Sequence, residues 1–344
     1  MAPTIILTVA FVVVASAAES NKLTDARKAA QDLVDNSKLK PARKFLKAEL
    51  QSLRERADTA AGPGAHWAEG DSQIPYLRLG PDDAEGSANL LSDLGGVYQL
   101  LGQQVEGLAV LEEAADIWRA LFGERDPRYG LAADRLADAH VQNGNTAAAM
   151  QLWRKLLDAM RSGLGRAHPG YQVTLRKLAD TAMAASKYKA AAKALGELIE
   201  LMDSAPPQDA GGGGPGGGGG PGGGGAEAAA ETAAALLATR VQYARALAST
   251  GRLDEALRQA EGARDAYADR QPGGLDHAMS YNGVAGILER LGRNDEAVEA
   301  MGEALRLVKA NPSIDPELAR QAQRNYDGLR NVVKRKRERE SREL

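Results

Sequence analysis

One pattern constrains this chain more than any other feature. Eight apolar and small residues recur at a fixed interval. Leu91, Leu94, Gly95, Tyr98, Gly102, Gly107, Leu111 and Ala114 fill it first. Moving 42 residues along the chain, the same places hold Ala133, Leu136, Ala137, His140, Gly144, Ala149, Trp153 and Leu156. Another 42 residues on stand Leu175, Leu178, Ala179, Ala182, Ser186, Ala191, Leu195 and Leu198. The pattern returns as Ala244, Leu247, Gly251, Ala256, Ala260 and Ala263. It returns again as Tyr281, Val284, Ala285, Leu288, Gly292, Ala297, Met301 and Ala304. Self-similarity of this period marks an array of supersecondary units, each unable to bury its apolar surface alone.

With Leu91 numbered slot 4, each repeat has a physical logic. Slots 4, 7, 8 and 11 lie on one face of a helix of 3.6 residues per turn. The small residue at slot 8 lets a second helix cross closely. Gly or Ser at slot 15 ends the first helix, as a residue in left-handed geometry does. Small residues at slots 20 and 27 admit the next repeat, and a large one at slot 24 fills the gap. Ala26, Ala29, Ala30, Leu33, Ser37, Ala42 and Leu46 fit the same slots as a divergent first repeat. Aromatic residues make up only 4% of the chain, which suits helices packed on small side chains and not a β-sandwich.

The connections between repeats are as informative as the helices. They read Leu121-Phe122-Gly123-Glu124-Arg125-Asp126-Pro127 and Leu164-Gly165-Arg166-Ala167-His168-Pro169. Proline breaks the preceding helix and pre-sets the entry to the next. The slot pattern resembles tetratricopeptide repeats. The period and the connections are similar to the kinesin light chain subtype, whose repeats are joined by Leu-Gly-x-x-His-Pro. The resemblance covers residues 84–205 and 233–312. It implies an all-α, right-handed α-solenoid of stacked helix-turn-helix repeats, with a concave surface of first helices that takes a protein or an extended peptide.

Seven segments follow. Residues 1–18 read as a cleaved signal peptide: Ile5 to Val14 is nearly unbroken apolar chain, followed by Ala15-Ser16-Ala17-Ala18. An uncleaved anchor and a buried helix are the other readings of that run. The divergent first repeat spans 19–60 and a loop insertion spans 61–85. Three 42-residue repeats span 86–205. A Gly/Pro-rich insertion, expected to be disordered, spans 206–230, because such chain buries too little apolar surface to offset its ordering entropy. Two further repeats span 231–312. A polar capping helix, reading as Asp315 to Lys336, and a basic tail span 313–344. The final Ser341-Arg342-Glu343-Leu344 distantly resembles a Lys-Asp-Glu-Leu retrieval signal. Lys334 to Arg337 reads as a solvated helix end, with a nuclear signal or a patch for an acidic partner as the other readings.

Signatures of catalysis are missing from the sequence. There is no cysteine, so disulfides, thiolate metal sites and cysteine nucleophiles are excluded. His66, His140, His168 and His277 do not pair at ligand spacing on one helix. His140 sits in a packing slot, and His168 belongs to a connection. The glycine tract lacks the Gly-Lys-Ser/Thr of a phosphate loop. No catalytic residue, metal site or cofactor is expected. The net charge of −3 gives no field that selects nucleic acid, and no segment of the mature chain is apolar enough to span a membrane.

Function is therefore expected on the first-helix face, at slots 2, 5, 6, 9, 12 and 13. Its peptide-binding candidates are Asp134, Arg135 and Asp138 in the second 42-residue repeat, and Arg176, Lys177 and Asp180 in the third. Asn89, Ser92, Gln99 and Leu100 lie there in the first of these repeats, and Val141 and Met183 in the second and third. Arg135, Arg176 and Lys177 are expected to have no packing duty. The reading is a non-enzymatic interaction scaffold in the secretory pathway, in the endoplasmic reticulum lumen or secreted. The runner-up is a cytosolic adaptor like a kinesin light chain, although the chain lacks that family's long heptad segment. A helical-array enzyme is the third reading.

Overall fold

The computed structural model describes residues 22–60, 74–204 and 224–343, with side chains 224–229 and 343 left aside. The signal-peptide segment, the Trp67 part of the expected loop and the glycine tract up to Gly223 lie outside the described residues. Among those described, all regular structure is helical. It runs as α1 (22–35), α2 (Leu39–Ala60), a 3-10 turn (Pro75–Arg78), α3 (Pro81–Leu100), α4 (Gln104–Phe122), α5 (Pro127–Gln142) and α6 (Thr146–Gly163). It continues as α7 (Pro169–Ala184), α8 (Tyr188–Ser204), α9 (Gly224–Ser249), α10 (Leu253–Arg270), α11 (Leu275–Arg290), α12 (Asn294–Ala310) and α13 (Pro316–Glu343).

The chain divides into two compact units, Met1–Thr174 and Leu175–Leu344. In the first, α2 packs on α3, α3 on α4, α4 on α5 and α5 on α6. In the second, α8 packs on α9, and each helix from α9 to α12 on its successor. Packing runs between neighbours in sequence, as stacking of incomplete units requires.

The turn inside each repeat explains the spacing. Slot 15 is left-handed at every described occurrence: Ser37 (φ 57), Gly102 (φ 72), Gly144 (φ 76), Ser186 (φ 56), Gly251 (φ 85) and Gly292 (φ 76). The next residue then donates back to the carbonyl five places earlier. Gln103 donates to Tyr98 at 2.9 Å, Asn145 to His140 at 2.8 Å, Lys187 to Ala182 at 2.7 Å and Arg293 to Leu288 at 2.9 Å. This bond satisfies a carbonyl that the ending helix would leave orphaned. Two slots carry serine, which tolerates positive φ less well than glycine, at a cost on the order of 1 kcal/mol each.

The small slots are contact points. Ala137, Ala179, Ala191, Ala256, Ala285 and Ala297 have no more than 1% of their surface exposed. A methyl group added at Gly95 would lie 2.5 Å from Cγ of Leu111, so the pair leaves no room for a larger residue. The connections are built alike. The Asp126 carboxylate accepts the Arg128 N–H at 2.9 Å, and His168 Nδ1 accepts the Gly170 N–H at 3.1 Å. Acid and imidazole thus cap corresponding helix starts, each just before a proline. The Arg128 guanidinium also lies over the Phe122 ring, 3.3 Å from its centroid.

Three boundaries differ from the sequence reading. The expected loop 61–85 contains the 3-10 turn and the start of α3. Tyr76 is buried there, its hydroxyl donating to the Leu50 carbonyl at 3.5 Å, and burial pushes its phenol up to about 12. Pro81 opens α3 with its φ already set. Asp82 and Asp83 complement the helix dipole, and Asp83 pairs with Arg56 at 2.7 Å. Second, α9 begins at Gly224, inside the expected 206–230 insertion, because Ala226 to Ala230 is strong helix-forming chain. Third, α13 continues through the basic tail to Glu343, supported by Lys334–Glu338 and Lys336–Glu340 pairs one turn apart.

The register can be tested by core substitutions. Ala137→Leu and Ala191→Leu should each overpack a closed contact and cost ~1–3 kcal/mol. Leu94→Ala, at a site 3% exposed, should cost ~2–5 kcal/mol. Thermal melts that place all three variants within half a degree of the parent would refute the register.

Candidate functional site

The packing slots leave one edge of each first helix uncommitted. On α5, Ala133, Leu136, Ala137 and His140 turn into the core, together with Tyr129, Ala132 and Ala139. Slots 5, 6 and 9 then put Asp134, Arg135 and Asp138 on the opposite side, within about one turn of each other. In the second unit, Arg176, Lys177 and Asp180 stand at the same slots of α7.

These six residues are not equivalent. Asp134 is half-buried and accepts the indole N–H of Trp153 at 3.0 Å. Trp153 is 1% exposed, so without that carboxylate its N–H would be a buried orphan. Arg135 is exposed and makes no ion pair among the described residues. Asp138 and Lys177 are half-buried and have polar interactions of their own.

Arg176 departs from the sequence reading. Its guanidinium donates to the Thr239 hydroxyl at 2.6 Å, and that hydroxyl donates to the Ala235 carbonyl at 2.7 Å. Thr239 is fully buried. Arg176 therefore ties α7 to α9 and has a packing duty. The periodicity could not reveal this, because its partner lies 63 residues away in sequence. Asp180 is exposed, yet desolvation raises its carboxyl above the ordinary value, and Arg176 opposes the rise.

Ser92 also differs from expectation. It is buried and donates to the Ala88 carbonyl at 2.9 Å, so slot 5 of α3 serves packing. Asn89 and Gln99 are half-buried and Leu100 is exposed; Val141 and Met183 are half-buried.

At slot 2, which the sequence reading placed on the functional face, stand residues it did not single out. Leu131 is 58% exposed and Val173 56% exposed in the first unit, and Met279 is 57% exposed in the second. Single exposed apolar residues are ordinary. Recurrence at one slot of three repeats is a pattern. Its signal was the period itself, applied to an outward slot.

The histidines have structural roles where described. His140 is buried in its packing slot, and His168 caps α7. His277 is buried, accepts the Gly273 N–H at 3.2 Å and lies against Tyr281 with ring centroids 5.3 Å apart. His66 lies outside the described residues. Among the described residues no cluster of His, Cys, Asp or Glu could hold a metal ion, and no helix is long and apolar enough to cross a membrane.

The split between structural and available cations is measurable. Arg176→Ala should lower stability by ~1–2 kcal/mol through its lost charge-assisted hydrogen bond. Arg135→Ala should stay within ~0.5 kcal/mol of the parent. Urea unfolding with equal midpoints for both variants would contradict the assignment.

The comparisons with known proteins agree with the repeat fold. Residues 86–162 match the family model described as tetratricopeptide repeat. The chain is 25% identical over 225 residues to the secreted RxLR effector protein RXLR-C07 of Plasmopara halstedii, covering 64% of this chain and 62% of that protein. It thus spans less than two thirds of that relative's length. It is 32% identical over 90 residues to Protein KINESIN LIGHT CHAIN-RELATED 1 of Arabidopsis thaliana, 26% of this chain and 15% of that protein. A crystal structure of nearly identical TPR-like kinesin light chain repeats from Podosopora anserina superposes with a TM-score of 0.50 at 19% identity. It covers 66% of this chain and 98% of that one. At that identity the match speaks for the fold alone, an all-α repeat solenoid. The repeat slots and their left-handed turns build an all-α repeat solenoid that carries a tetratricopeptide match over residues 86–162 and is similar to a kinesin light chain-related protein over 90 residues.

Proposed function

We propose that the chain is a non-enzymatic scaffold that holds partner peptides or proteins on its first-helix faces, and that it works in the secretory pathway or outside the cell. One observation carries the binding reading: on α5, Leu131 and Arg135 are exposed on a helix whose remaining faces are packed. An apolar side chain beside a cation and the half-buried Asp138 suits an extended partner segment that offers an apolar residue flanked by charge. Because helices position these groups, little ordering entropy is spent on the scaffold side when a partner binds.

Export is supported by the apolar run Ile5 to Val14 with the small residues Ala15 to Ala18, and by the likeness to a relative described as secreted. The likeness to a kinesin light chain-related protein favours a second reading, a cytosolic adaptor. The mature N-terminus separates them. Export requires a chain starting at Ala18 or Glu19, whereas a soluble cytosolic form that keeps Met1 to Ala17 selects the adaptor.

Binding is tested by quantitative pull-down from the native source with the parent and with Leu131→Ser/Arg135→Glu. The variant should keep its melting temperature, because both positions are exposed. It should lose most of its specific partners, with the Arg135 part of the loss largest at low salt. Equal capture by variant and parent would move the binding surface off α5.

A further inference from the structure

A second surface lies away from the first-helix slots. Between Lys38 and Lys47 the chain carries Lys38, Lys40, Arg43, Lys44 and Lys47 and no acid. Lys40, Lys44 and Lys47 recur at helical spacing along one side of α2. Together with Pro41, Arg43, Tyr98, Gln103 and Glu106, they line a groove of about 850 Å³ in the first unit. Its walls are the start of α2, the end of α3 and the first turn of α4.

The charge here is uncompensated, whereas several other cations of the same unit are paired. Elsewhere cations reach across helices to carboxylates: Arg27 to Asp93 at 2.8 Å, Arg56 to Asp83 at 2.7 Å, Arg54 to Glu113 at 3.8 Å and Arg128 to Glu85 at 3.4 Å. In the groove, Lys40, Lys44 and Lys47 are exposed and make no ion pair among the described residues. Among the described residues Arg43 donates only to the neutral side-chain carbonyl of Gln103. Glu106 is the single acid of the lining. Gln103, engaged by Arg43, places no side-chain cap on α4, so the first N–H groups of that helix add their partial positive charge.

We propose that this groove is a docking site for an acidic peptide segment of a protein partner. Lys40 to Lys47 spans about 10 Å at 1.5 Å per helical residue. That matches about three residues of extended peptide, enough for each lysine to meet a carboxylate on a chain with closely spaced Asp or Glu. Nucleic acid fits less well. Tyr98, the one aromatic residue of the lining, is 7% exposed, so bases have no ring on which to stack. A bilayer is the other source of anionic groups, and the vesicle arm of the test separates it from a peptide. The site shares no residue with the α5 face, so either can fail without the other.

The test uses the full chain and a fluorescein-labelled eight-residue peptide of alternating Glu and Ser, read by anisotropy at low and physiological salt. Binding should be present at low salt and weaken as salt rises. Lys40→Glu/Lys44→Glu should weaken it roughly tenfold or more, since two attractions become repulsions. Lys40→Arg/Lys44→Arg should keep it, and Arg135→Glu should leave it unchanged. The melting temperature reports folding, and Lys47→Glu alone gives a second, smaller reduction should the double variant melt early. A single-stranded oligonucleotide and vesicles containing phosphatidylserine should bind no tighter than the peptide. Any of four results overturns the proposal: no peptide binding at low salt, binding indifferent to charge reversal, tighter binding of the oligonucleotide or vesicles, or loss of the peptide in Arg135→Glu.

Discussion

Everything in this structure depends on how closely the two helices of a repeat can approach at slot 8. In α3 that slot is Gly95, and Leu111 of α4 occupies the space a methyl group would need. Ala137, Ala179 and Ala285 hold the slot in later repeats with almost no surface exposed. Close approach puts Trp153, Leu195 and Met301, the large residues of slot 24, into the space between helices, where all three are buried. Dispersion and apolar burial act only at such contact distances. A chain this poor in aromatic residues has few other ways to fill a core.

Close approach also sets the turn. Two antiparallel helices in contact leave few residues to reverse direction, and the left-handed slot 15 does so while satisfying a carbonyl. Two connections then start the next repeat with a capped proline, Asp126-Pro127 and His168-Pro169. Packing and turns together decide which residues are released from structural duty. Arg135 and Leu131 are released. Asp134 is spent on the Trp153 indole and Arg176 on Thr239. A functional surface in a repeat protein is what remains after these commitments, and it differs between repeats whose slot patterns look alike.

The helices and turns were legible in the sequence because they rest on local, periodic signals. Ser37 and Ser186 fall in the glycine slot and adopt the same left-handed turn, so the slot outweighs residue type. The surface was less legible for two physical reasons. Side-chain partners such as Arg176 with Thr239 join positions remote in sequence, and no period marks them. The exposed Leu131 and Val173 sit at an outward slot where a polar residue is the default expectation. The expected loop at 61–85 was too long because Tyr76, in a Gly- and Asp-rich context, gives no periodic sign that it is buried.

Hydrogen exchange on Gly95→Ala tests the central claim most directly. If α3 and α4 stand as one unit through that contact, the added methyl must push on Leu111, and amide protection in both helices should fall by the same factor. Loss of protection in α3 alone, with α4 exchanging as in the parent, would mean that the slot-8 contact does not hold the pair together.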